Sequence, residues 1–137
     1  MTKAPNRFAR VPAWVATLKL TATAWRLLIE ICAHLNRDEQ AWPSLGRMAR
    51  DWGIDRSNLT RALHELEAAG VLVSKRQTHK KNIGEDRRLY RVNFNPDQRE
   101  RFQAEAQRIR SVEGATRETA RITAAATAAV NDEDVAA

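Results

Sequence analysis

Residues 53–72, GIDRSNLTRALHELEAAGVL, crowd their most versatile hydrogen-bonding side chains into one short segment: Arg56, Ser57, Asn58, Thr60, Arg61 and His64. A guanidinium can bridge guanine O6 and N7, an asparagine amide can pair with adenine, and hydroxyls bond bases or phosphates. This is recognition chemistry, and the residue types that catalysis needs are thinly spread. His34, His64 and His79 are too scattered to ligate a metal, and no phosphate-loop, dinucleotide or nucleophile-elbow pattern occurs. Cys32 is the only cysteine, which excludes an intrachain disulfide and a cysteine-based zinc site; it reads as a small apolar residue on the inner face of a helix. Glu85 and Asp86 sit among arginines and read as their partners. No enzyme activity, cofactor or metal is expected.

The elements that must hold the segment follow from spacing. Ala24, Leu28, Ile31 and Leu35 recur at helical intervals behind Thr21 as N-cap, and Trp25, Ile29 and Cys32 widen the stripe, predicting a deeply buried first helix. Ala41 and Trp42 form a short extended piece before Pro43. Ser44 then caps a second helix over about Leu45 to Trp52, with Leu45, Met48 and Ala49 inward. Gly53 ends that helix in the left-handed conformation, and Asp55 caps a third from Arg56 to Ala69. So short a connection makes the two helices cross steeply, as in a helix-turn-helix. Leu59, Ala62, Leu63 and Leu66 form the inner stripe of the third helix, leaving the six polar residues outside, with Glu65 and Glu67 toward the far end. Trp25 and Trp52 read as core; Trp14 and Trp42 stay open between core and base stacking.

Beyond Gly70, VLVSKRQ and RRLYRVNFNP read as two strands, with Tyr90, Val92 and Phe94 on one face, joined by a polar loop. Between Val73 and Arg91 lie seven basic residues (Lys75, Arg76, Lys80, Lys81, Arg87, Arg88, Arg91) against two acids. The expected fold is therefore mainly α with a small β-hairpin: a winged helix-turn-helix of three helices plus a basic wing, over residues 20–95. Residues 1–19 form a basic arm with Lys3, Arg7 and Arg10, and residues 96–137 a C-terminal helical tail. The net charge is +6, but six arginines against eight carboxylates follow Pro96, so the first 95 residues carry +8. That asymmetry favours a polyanionic partner. No apolar run is long enough to span a membrane and no secretory h-region is present, so a cytoplasmic, nucleoid-associated location is expected.

The run AWPSLGRMARDWGIDRSNLTRALHELEAAGVLVSKRQ resembles the winged-helix domains of phage and plasmid replication initiators and related mobile-element regulators. GEDRRLYRVNF is similar to the wing of the multiple-antibiotic-resistance regulator family, whose aspartate–arginine pair corresponds to Asp86 and Arg87. The resemblance spans about residues 7–95. It implies double-stranded DNA as partner, base contacts from Ser57, Asn58 and Arg61, and a wing contact from Arg87 or Arg88.

The residues read as DNA-facing are thus Arg56, Ser57, Asn58, Thr60, Arg61 and His64 on the third helix and Lys75, Arg76, Lys80, Lys81, Arg87 and Arg88 on the wing. Ser44, Arg47, Arg7 and Arg10 flank them. Asn95, Pro96 and Gln98 start a capping-box helix with Phe102, Ala106, Ile109 and Val112 as a narrow stripe, ending at Gly114. It suits pairing with a second copy or packing on the domain, and the alanine-rich remainder suits a loose helix, a disordered tail or a protein-binding segment. The expected function is sequence-specific DNA binding as a small prokaryotic transcriptional regulator, acting as a homodimer or cooperatively on repeats. Alternatives are a plasmid or phage replication or partition accessory factor at origin repeats, and a protein-interaction adaptor.

Overall fold

The computed structural model describes residues 8–77 and 88–136. It divides into two units, Met1–Ala106 and Gln107–Ala137. In chain order the regular elements are helix α1 (Ala22–Ala33), strand β1 (Gln40–Ala41), helices α2 (Leu45–Trp52) and α3 (Arg56–Ala68), strands β2 (Leu72–Arg76) and β3 (Arg88–Val92), and helix α4 (Arg99–Ala136). Short 3₁₀ turns at Ala13–Thr17 and Pro96–Gln98 precede α1 and α4.

The first unit is built around the inner stripes of the three helices. In α1 the buried set is Ala24, Leu27, Leu28, Ile31 and Cys32. The expected stripe needs two corrections: Leu27 is fully buried, whereas Ile29 is 47% exposed. At 100° per residue, positions 24, 27, 28, 31 and 32 make one continuous face and position 29 falls off its edge. Burial pushes the Cys32 thiol up to about 12, opposed only in part by the positive charge of Arg10. It is a packing residue with negligible thiolate at neutral pH.

Ser44 caps α2 by accepting from the Arg47 N–H at 3.3 Å. Gly53 adopts φ 67°, the left-handed C-cap expected of it. Leu59, Ala62, Leu63 and Leu66 pack inward from α3 as their spacing predicts.

The sheet is antiparallel with order β1-β3-β2. Tyr90 pairs with Ala41 on one side and Ser74 on the other. The extended piece before Pro43 is thus the third strand of the wing's sheet. The two faces of β2 have different neighbours: Leu72 joins the main core, whereas Val73 packs with Phe102 and Ala106 of α4. The first unit therefore runs past Asn95 and takes in the first turns of α4.

That junction is closely built. Gly70 has φ 74°, and a Cβ there would lie 2.6 Å from the Arg99 backbone oxygen. Three side chains satisfy the carbonyls at the end of α3. Gln103 Nε2 donates to Ala68 O at 2.8 Å, Arg99 Nε to Ala69 O at 2.8 Å, and Asn93 Nδ2 to Gly70 O at 3.0 Å. Asn95 accepts from the Asp97 N–H as expected of a cap. Its own N–H goes to Asn93 Oδ1 at 2.9 Å, so Asn93 completes the reciprocal bond expected of Gln98.

In the second unit the helix does not end at Gly114: α4 continues to Ala136. A mid-helix glycine costs about 1 kcal/mol relative to alanine, too little to stop a helix flanked by alanine, arginine and glutamate. Arg121 pairs with Glu118 one turn back at 2.6 Å. No helix among the described residues is long and apolar enough to cross a membrane.

Candidate nucleic-acid interface

The outward face of α3 is fixed by what its opposite face buries. With Leu59, Ala62, Leu63 and Leu66 in the core, Arg56, Ser57, Arg61 and His64 are exposed and Asn58 and Thr60 half-exposed. The first turn contains no acidic residue. Asp55 occupies the N-cap position, but its carboxylate makes no capping bond, a departure from its expected role. The amides at this end keep the positive pole that attracts phosphate.

Within the face, Arg61 Nη2 donates to Asn58 Oδ1, holding the two base-reading types together one turn apart. Thr60 Oγ1 donates back to the Arg56 carbonyl at 3.1 Å, so its hydroxyl hydrogen is engaged within the helix. The Arg56 guanidinium reaches beside the first turn of α2, 4.0 Å from where a Cβ on Gly46 would stand. Arg47 and Arg50 are exposed on α2, and Lys75 and Arg76 on β2.

The two glutamates of α3 are not the outward pair that the sequence suggested. Glu65 accepts from the Thr21 N–H at 2.8 Å and the Thr21 hydroxyl at 3.0 Å, tying α3 to the start of α1. Glu67 is only 5% exposed and accepts from Ser74 Oγ at 2.8 Å. Ser74 in turn accepts from Arg88 Nε at 3.1 Å, and its carbonyl accepts from Arg88 Nη2 at 3.3 Å. The consequence is electrostatic: Glu67 is withdrawn from the surface and Glu65 stands half-exposed at the far end beside Thr21, so the exposed N-terminal turns of α3 carry arginines without carboxylates.

Other expected contacts are redistributed. Arg88 is half-buried in this chain of bonds and serves the base of the wing. Arg91 pairs with Glu105 and lies over the Phe102 ring at 5.1 Å. Arg10 lies over Phe94 at 4.5 Å and pairs with Glu39 at 3.1 Å. The Ser44 hydroxyl is occupied as a cap. Trp14 donates to the Asn93 carbonyl at 2.9 Å, and Trp42 to Gln77 Oε1 at 3.0 Å. Trp52 is half-buried under the Arg26 guanidinium, 4.1 Å from its ring centre. Arg7, Lys80, Lys81 and Arg87 lie outside the described residues, as does the Asp86–Arg87 pair. No group of three metal-ligating side chains occurs among the described residues.

The Glu67–Ser74–Arg88 chain was missed from sequence, although one signal was available. Position 67 lies four residues after Leu63 and adjoins Leu66, so it borders the inner stripe. The pairing of Glu65 with Thr21, 44 residues away, leaves no local trace.

Residues 18–72 match the family model of a helix-turn-helix domain. With the strands β2 and β3 following it, the arrangement is a winged helix-turn-helix. Two solved structures are similar to the chain. One is a possible transcriptional regulator from Methanosarcina mazei Go1, 14% identical, covering 80% of this chain and 82% of that one, with a TM-score of 0.44. The other is ZitR of Lactococcus lactis, a zinc-responsive MarR family member. It is 19% identical and covers 75% of this chain and 62% of that one, with a TM-score of 0.42. No curated protein matches the chain.

Proposed function

We propose that this protein binds double-stranded DNA sequence-specifically and acts as a small prokaryotic transcriptional regulator. The observation that carries the reading is the sorting of charge on α3. Arg56, Ser57, Asn58 and Arg61 occupy its outward first turns, while Glu67 is buried against Ser74 and Glu65 is held beside Thr21 at the far end. A recognition helix enters the major groove by its N-terminal residues, where arginine and asparagine discriminate base pairs. Arg47, Arg50, Lys75 and Arg76 then supply phosphate contacts, which orient the helix without reading sequence.

The two roles are separable by mutation. Arg61→Ala is expected to lose about 1–3 kcal/mol on the preferred site and to relax its specificity. Lys75→Ala should weaken all duplexes alike and reduce the salt slope by about 1. Titrations on preferred and scrambled duplexes at two salt concentrations distinguish them. Equal losses on both duplexes for Arg61→Ala would remove α3 as the base reader and favour a protein-binding adaptor.

A further inference from the structure

We propose that Trp42 is a further DNA contact, its indole packing against the sugars of the duplex backbone between helix α2 and the wing. This inference rests on the DNA reading above. In the sheet, Ala41, Tyr90 and Ser74 are paired across the three strands and turn to the buried side. Side chains alternate along a strand, so Lys75 and its partner Leu89 turn the other way. Trp42 follows Ala41, and Pro43 keeps it extended, which puts it on that same outer face. Helix α4 covers the other end of this face, where Phe102 and Ala106 pack on Val73. Lys75 is exposed, Leu89 half-buried and Trp42 40% exposed, so an apolar patch stays open at the root of the wing.

The orientation of the indole and the charge around it select the occupant. Nε1 donates to Gln77 Oε1 at 3.0 Å, so the polar edge of the ring is engaged within the protein and its apolar faces are what it offers a partner. Residues 40–50, which run through Trp42 into α2, hold Arg47 and Arg50 and no carboxylate; residues 68–77 hold Lys75 and Arg76 and again none. Strand β3 between them has none either. An aromatic face set among cations fits a polyanion that alternates charge with apolar surface, and the sugar–phosphate chain is one. Base stacking, the other use of an exposed ring, needs an unpaired base, and a duplex offers none. Covering on the order of 60 Å² of indole corresponds to about tenfold in affinity, equal for every sequence because the sugars are the same.

The test titrates the full chain and its variants on the preferred and the scrambled duplex at two salt concentrations, with thermal unfolding to correct for any loss of folded protein. Trp42→Ala should weaken both duplexes about tenfold and leave the salt slope unchanged, because an apolar contact releases no counterion; Lys75→Ala, by contrast, reduces that slope. Trp42→Phe keeps a ring and should lose clearly less. A structural role alone would not move a second readout: the emission that Trp42→Phe removes should be quenched by acrylamide in the free protein and shielded on a duplex. Variants at wild-type affinity, a loss confined to the preferred duplex, a salt slope lowered as by Lys75→Ala, or an indole quenched equally with and without duplex would each overturn the proposal. The DNA reading would survive all four, since Arg61→Ala tests it separately; a wild-type chain that binds no duplex would overturn both.

Discussion

Gly70→Ala is expected to lower the stability of the first unit by about 2–5 kcal/mol. Two causes add. At φ 74° an L side chain is strained by about 1–2 kcal/mol, and its Cβ would lie 2.6 Å from the Arg99 backbone oxygen. Relieving that overlap means moving backbone, and overpacking of this kind costs about 1–3 kcal/mol. The movement would also disturb the bonds from Arg99 and Gln103 to the end of α3. Gly53→Ala is the internal control. Its φ is similar, 67°, but no neighbouring element lies within 4 Å of the added carbon, so only the same conformational cost of about 1–2 kcal/mol should appear. Urea unfolding of the two variants measures the difference. Equal losses would mean that the close approach of α4 to Gly70 has no energetic weight.

The second large effect is expected at Glu67. Glu67→Ala removes the acceptor at the end of a buried chain, leaving the Ser74 hydroxyl without its partner and Arg88 against a less polarised group. A stranded buried donor costs about 1–3 kcal/mol, and cooperative networks fall toward the upper part of that range, so a loss of about 2–3 kcal/mol is expected. Glu67→Gln retains an acceptor oxygen and should lose clearly less. Since Ser74 and Arg88 face each other's strands at the base of the wing, affinity for all duplexes should fall with Glu67→Ala beyond what its unfolded fraction explains. A near-neutral Glu67→Ala would show that the carboxylate is dispensable and that exposed charge, not this arrangement, decides the character of α3.

The helix-turn-helix was legible because its determinants are local. Ser44, Gly53 and the Leu59–Leu66 stripe each act within a few residues, where capping and periodicity suffice. What was not legible depends on partners distant in sequence. Arg10, Arg88 and Arg91 look in sequence like phosphate contacts, yet Glu39, Ser74 and Glu105 engage them within the fold. Charge composition counts such side chains without saying which way they turn. The length of α4 was misjudged for a different reason: Gly114 is a breaker only where a turn or a packing clash supports it, and no atom lies within 4 Å of its added carbon. The exposed set on α3, from Arg56 to His64, was fixed by the core residues between them.

We propose that the exposed N-terminal turns of α3 read base edges. Selection of bound sequences from a random duplex library, followed by titration of the enriched duplex against a scrambled one at two salt concentrations, tests it directly. The expected result is an enriched repeat bound on the order of a thousandfold more tightly than scramble, with that ratio persisting as salt rises. No enriched sequence, with affinity equal for all duplexes and collapsing together as salt rises, would contradict it.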